Sequence, residues 1–166
     1  MKQTKEKFRE LLGEFNTAVL ITQKGDSLFR ARPMAIVGVD ENCDLWFIAN
    51  NESAKVHEIQ TDTRVQVICQ NGWTSCVCIS GRASLNYDRS KVLELWKPIY
   101  QAWFPLGVND PDIVLIHVKG EQGEYWDNTG LNRLNYVYKT IKAIVSGTTP
   151  EVVEGEQHGR VKLVHH

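Results

Sequence analysis

The pentapeptide Leu45-Trp46-Phe47-Ile48-Ala49 is apolar at every position. In a strand, successive side chains point to opposite faces, so this segment has no face suited to water. It has to be covered on both sides, which fits a strand of a closed barrel with something packed outside. The flanking sequence supplies further strands. Pro33–Val39 precedes it, joined through the turn-forming run Asp40-Glu41-Asn42-Cys43-Asp44. Asn16–Gln23 reads as a strand ending at the turn signal Lys24-Gly25-Asp26, and Arg64–Gln70 alternates apolar and polar as a half-buried strand should. Thr74–Leu85 is a longer strand with a small-residue face, Ser75 and Val77 pointing one way and Cys76, Cys78 and Ser80 the other. Ile113–Gly120 and Gly123–Asp127 read as a final strand pair.

Helices fall between these strands. Phe8, Leu11, Leu12 and Phe15 repeat at helical spacing. Ser53 stands as the N-cap of a helix whose Val56 and Ile59 face inward, and Asp88 as the N-cap of another that Pro98 kinks or restarts. Leu134, Val137, Ile141, Ile144 and Val145 mark a last helix, stopped by Gly147. The six or seven strands indicate a mainly β protein, a β-barrel with peripheral helices. Residues 1–147 form the expected domain. Residues 148–166 are expected to be a polar, loosely held tail, and its last two histidines read as the remnant of a purification tag.

A net charge of −1 argues against nucleic-acid or anionic-membrane partners, which call for a basic excess. No apolar run approaches the ~20 residues of a membrane helix, and the charged N-terminus is unlike a secretory signal. Cys43, Cys69, Cys76 and Cys78 contain no CxxC spacing, and the same-face pair Cys76 and Cys78 reads as buried thiols rather than a disulfide scaffold. Together these features predict a soluble cytoplasmic protein.

Two constellations could carry chemistry. A helix starting at Ser53 offers unpaired N–H groups, a hydroxyl and, from Lys55, a cation; Arg32 reaches the same region if the two strands before it are hairpin neighbours. That combination suits a phosphate. The alternative is a serine that only caps its helix and a solvated lysine. Trp96, Trp103, Phe104, Tyr125 and Trp126 suit a flat ligand, or equally core packing and a subunit interface. HExxH, GxSxG, P-loop and GxGxxG motifs are absent, so redox work would need a bound cofactor.

The run from Ala31 to Cys69, followed by Asp88-Arg89-Ser90-Lys91, the segment Glu94–Gly107, Asp110-Pro111 and Glu124-Tyr125-Trp126-Asp127, resembles the pyridoxamine 5′-phosphate oxidase-like family, and within it the general stress protein 26 branch. The similarity spans roughly residues 4 to 145, with the motifs in order. It implies an FMN-binding split barrel that works as a homodimer with FMN at the subunit interface. By that resemblance Arg32, Pro33 and Met34 line the flavin, and Phe47, Ile48 and Ala49 run along the isoalloxazine edge. Ser53 and Lys55 grip the phosphate, with help from Arg32. Cys76 lies on the strand that reaches the flavin from the partner chain, and Trp126 closes the site from that partner. The oxidases proper carry an Arg-x-His motif shortly after this tryptophan; here Arg133 is followed by Asn135, and Val37 falls where the family has a lysine. The expectation is an FMN-binding general stress protein, a flavin-dependent oxidoreductase acting on an unknown small-molecule substrate. A non-catalytic flavin carrier or redox sensor is one alternative, and a pyridoxamine 5′-phosphate oxidase the other.

Overall fold

The computed structural model describes residues 2–25, 28–147, 149 and 157–163, with side chains described at these positions except 2, 3 and 130–136. Among the described residues there are seven strands: β1 (Thr17–Lys24), β2 (Leu28–Val39), β3 (Leu45–Asn50), β4 (Arg64–Asn71), β5 (Ser75–Asn86), β6 (Ile113–Asp127) and β7 (His158–Lys162). The helices are α1 (Lys2–Gly13), α2 (Ala54–Thr61), α3 (Arg89–Leu95) and α4 (Gly130–Ser146). The sheet runs β3-β2-β1-β4-β5-β6-β7, every pairing is antiparallel, and an additional β3–β6 pairing closes six strands into a barrel. The fold is thus mainly β, as expected, with β7 attached outside the ring.

β6 is one continuous strand rather than the expected pair. Its first half pairs with β3 and its second half with β7 along the same edge, while β5 accompanies it throughout. The apparent break at Gly120 is a register shift opposite Ser80 and Gly81, not a turn. A Cβ on Gly81 would lie 2.1 Å from the Lys119 carbonyl oxygen, so only glycine permits this approach. The tail also departs from expectation: His158–Lys162 returns to the sheet as β7, and Val161 and Leu163 are buried against the core. A short polar segment can still pair when an open edge of β6 supplies its hydrogen-bond partners.

The strand that is apolar on both faces meets cover on both. Leu45, Phe47 and Ala49 enter the barrel core with Leu20, Val67, Ile79, Ile116 and Val118. Trp46 and Ile48 point outward, into a second cluster with Val37, Val92, Tyr100, Phe104 and Leu115. That cluster is capped by α3 and by the 3₁₀ turn Pro98–Ala102, which begins at Pro98 as the ring's fixed φ dictates. Phe8, Leu11 and Leu12 of α1 join the barrel core, and the Lys7–Asp127 ion pair at 2.8 Å ties α1 to the end of β6. Full burial of a side chain such as Phe47 contributes roughly 1.5–3 kcal/mol. α4 ends at Gly147 in the left-handed region (φ 67°), but its Val137, Ile141, Ile144 and Val145 are exposed. No helix among the described residues is long and apolar enough to cross a membrane.

Candidate anion site at the split of the barrel

β2 serves two partners in turn. Leu28–Ala35 pairs with β1, whereas Ile36–Val39 pairs with β3, whose pairing with β2 reaches no further than Phe47. The two strands therefore diverge, leaving a cleft between the first half of β2 and the end of β3. The chain leaves β3 through Asn50–Ser53 and enters α2, whose first turn stands beside that cleft.

Arg32 and Arg30 lie on the face of β2 shared with the inward-pointing Leu20 and Thr22 of β1. Arg32 Nη2 donates to Glu58 Oε2 at 2.8 Å and Nη1 to Thr22 Oγ1 at 2.5 Å; Arg30 Nη1 reaches Glu58 Oε1 at 3.2 Å. Thr22 itself donates to Glu58 Oε2 at 2.5 Å. Arg32 is thus clamped in position with guanidinium donors to spare, since a guanidinium carries five. Burial alone would push the Glu58 carboxyl up, but the Thr22 hydroxyl and the Arg32 and Arg30 cations outweigh it and leave its pKa below the ordinary value. A carboxyl with a folded-state pKa below its unfolded one adds stability above the unfolded value and loses it as pH falls through the folded one. The fall in unfolding free energy between pH 6 and pH 3, measured by urea titration, is accordingly expected to be shallower in Glu58→Gln than in the parent.

Lys55 is half-buried and has no ion-pair partner among the described residues. Its pKa lies below the ordinary value because burial disfavours the charge and because Arg32 repels it, an effect that the nearby Glu58 only partly offsets. Arg30 and Arg32 thus share one carboxylate with Lys55 close by, an excess of two positive charges held partly out of water. Ser53 occupies the N-cap position of α2 with extended backbone (φ −74°, ψ 147°), yet its side chain makes no capping bond. Its Oγ is buried and is the one such side-chain atom without a hydrogen-bond partner among the described residues. Val56 and His57 N–H bond to the Ser53 carbonyl, while the N–H groups of Ala54 and Lys55 have no acceptor within the helix. A buried hydroxyl without a partner costs about 1–3 kcal/mol, so the arrangement is incomplete without an acceptor beside Ser53. A lysine without an ion-pair partner, a guanidinium with donors to spare, a lone hydroxyl and helix N–H groups are the donor set a phosphate requires.

The other expected site residues divide into separate groups. Met34 shares the inner face with Arg32 and packs on the core, but Pro33 points to the outer face opposite Val19. The Phe47 and Ala49 side chains are buried in the barrel and Ile48 sits in the outer cluster, so only the backbone edge of β3 borders the cleft. Cys76 and Trp126 are cross-strand neighbours on the outer face of β5 and β6, on the opposite side of the sheet from Arg32. One chain does not bring them to the anion site. Cys76 and Cys78 are half-exposed rather than buried as expected; only Cys43 and Cys69 are buried.

Thr22 and Glu58 escaped the sequence reading, which singled out Arg32 rather than Arg30 of the two arginines before Pro33. The available signal was a threonine at an inward position of β1 and a glutamate beside Ile59 on the buried face of α2. A second group, Asp40, Asp44 and His117, has its ligand atoms within 4.8 Å of one another. Its carboxylates are occupied structurally, Asp40 by the Asn42 and Asp44 N–H groups and Asp44 by Gly120 N–H and His117.

Known proteins with this architecture bear on the site. A general stress FMN/FAD binding protein from Xanthomonas citri superposes with a TM-score of 0.66 at 26% identity, over 78% of this chain and 92% of that one. A candidate general stress protein 26 from Jannaschia superposes with a TM-score of 0.75 at 22% identity, over 98% of this chain and 99% of that one, which shows the shared fold. Protein bli-3 of Neurospora crassa is 28% identical over 127 residues, 70% of this chain, and the match spans 60% of the length of that relative. The sequence model of the family described as pyridoxamine 5′-phosphate oxidase like matches residues 3–151. With nearly its whole length matched and a closed antiparallel barrel split between β2 and β3, the chain belongs to the pyridoxamine 5′-phosphate oxidase-like family.

Proposed function

We propose that this chain binds FMN, its phosphate held by Ser53, Lys55 and Arg32 in the cleft between β2 and the start of α2. The observation that carries this reading is the buried, unpartnered Ser53 Oγ beside an excess of positive charge. The flavin/anion assignment has support from the Xanthomonas citri relative, which is named for FMN/FAD binding. Met34 and the backbone edge of Phe47 to Ala49 would border the ring. Cys76 and Trp126 lie on a different face, so their part in the site requires a second copy of the chain. The working unit in this proposal is a homodimer.

A bound flavin would supply hydride and electron transfer; the protein's part is to orient the ring and set the charge around it. We infer a flavin-dependent oxidoreductase acting on a small molecule. Anaerobic addition of NADH, NADPH or pyridoxamine phosphate to flavin-loaded protein tests this by bleaching of the flavin absorbance. An unbleached flavin would instead favour a carrier or sensor.

Ser53→Ala distinguishes a phosphate ligand from a helix cap. Loss of a capping serine costs about 0.5–2 kcal/mol of stability. Here the hydroxyl caps nothing, so flavin-free Ser53→Ala is expected to be as stable as the parent or up to about 1 kcal/mol more so, while FMN binding weakens. Urea unfolding without ligand and FMN titration by fluorescence quenching measure the two effects. A destabilised variant with unchanged FMN affinity would remove Ser53 from the site.

A further inference from the structure

Cys76 and Cys78 occupy alternate positions of β5 on its outer face, and their Sγ atoms lie 3.9 Å apart. From this geometry we propose that the two thiols form a binding site for a soft, thiophilic d¹⁰ cation, as cuprous, zinc or cadmium ions are. Both sulfurs belong to one chain and the test uses flavin-free protein, so the inference does not rest on flavin binding. Two metal–sulfur bonds of about 2.3 Å at a tetrahedral angle span about 3.8 Å between the sulfurs. The observed separation already has that bite, so a cation can bridge the pair without backbone movement.

A disulfide fits the same positions poorly. Alternate residues of a strand have Cα atoms about 6.7 Å apart, at the upper limit for a disulfide, and the sulfurs would have to close to about 2.05 Å. The pair is therefore better spaced for a shared ligand than for a bond between its own atoms. Soft thiolates select soft cations over magnesium or calcium.

The surroundings admit such an ion. A groove of about 430 Å³ opens beside Cys78 and is lined by Gln66, Ser80, Gln122, Glu124 and Arg160. It gives room for the water or small thiol ligands that complete the coordination. Glu124 stands directly across from Cys78 on β6, and Trp126 directly across from Cys76. The indole is a reporter placed beside one of the two sulfurs.

Binding would replace the two thiol protons by two metal–sulfur bonds, with no change in oxidation state; the protons pass to solvent. The test uses the full chain, freed of flavin and metal and kept reduced, titrated with Cd²⁺. The expected result is a sulfur-to-cadmium charge-transfer absorbance saturating at one ion per chain. Cys76→Ser and Cys78→Ser are each expected to weaken binding by more than about 100-fold, beyond the 10–100-fold that an indirect supporting contact is worth. Cys69→Ala, which alters a buried thiol on the other face of the sheet, is expected to retain it. Far-UV circular dichroism shows whether each variant keeps its sheet. In the parent, alkylation with peptide mapping gives a second reading: Cd²⁺ is expected to protect Cys76 and Cys78 together. Absence of the absorbance, its persistence in either serine variant, or protection of neither cysteine would overturn the proposal.

Discussion

Replacing both Arg32 and Lys55 by alanine is expected to weaken FMN binding on the order of 1,000-fold while leaving riboflavin within a few-fold of the parent. The two ligands differ only in the phosphate, so the difference isolates the anion contacts. Each charge-assisted contact is worth about 1–3 kcal/mol. Arg32→Ala should be the more damaging single change. The guanidinium holds Glu58 Oε2 at 2.8 Å and Thr22 Oγ1 at 2.5 Å, so its loss removes a donor and also leaves the Glu58 carboxylate facing the phosphate with only Arg30 as counter-charge. Lys55→Ala removes a cation that has no ion-pair partner among the described residues and feels Glu58 only at a distance, so its effect should fall on the ligand more than on the fold. The two sites repel each other in the ligand-free chain, and a phosphate relieves that repulsion; their effects should therefore not add simply. Parallel FMN and riboflavin titrations decide the matter. Equal losses for the two ligands would mean that neither side chain touches the phosphate.

Pyridoxamine phosphate oxidation by the flavin-loaded protein is expected to run at a trace, well below about one turnover per second. The substrate's own phosphate needs cations beyond those holding the cofactor, because an anion leaving water without charged partners binds poorly. Val37 stands where the resemblance places a lysine, and it is buried beneath Trp46 and Val92. That position therefore faces the outer helical cover and not the cleft of its own chain. Asn135 replaces the histidine expected two residues after Arg133; both side chains lie outside the described residues. One missing charge contact is worth roughly 100-fold, and two should leave little turnover. Formation of pyridoxal phosphate under air measures it. Efficient turnover would move the oxidase reading ahead of an oxidoreductase with another substrate.

Much of the barrel was legible along the chain because strand patterning is local. Leu45 to Ala49 announced a strand with two buried faces, and it has them: Phe47 inside, Trp46 under α3. Asp88 caps α3 through Ser90 N–H, and Pro98 starts the following 3₁₀ turn, both set by neighbours in sequence. Ser53 was legible as a helix start, but whether its hydroxyl caps or waits for a ligand depends on where it points. The Glu58 clamp was not legible. Thr22, Arg30 and Glu58 are separated by up to 36 residues, and only the pairing of β1 with β2 and the packing of α2 bring them together.

What the sequence by itself determined is the series of short strands, their inward and outward faces, the helix starts and stops, and the residue types able to hold a phosphate. These follow from side-chain periodicity, capping chemistry and backbone restriction, each acting over a few residues. The tertiary structure alone decided that β6 runs unbroken past Gly120, that residues 158–162 close onto its free edge, and that β2 parts from β3 beside the first turn of α2. It also separated Cys76 and Trp126 from Arg32 by placing them on opposite faces of the sheet. The physical reason is that hydrogen-bond partners and charge neighbours distant in sequence are chosen by the closure of the whole barrel, which no local pattern encodes.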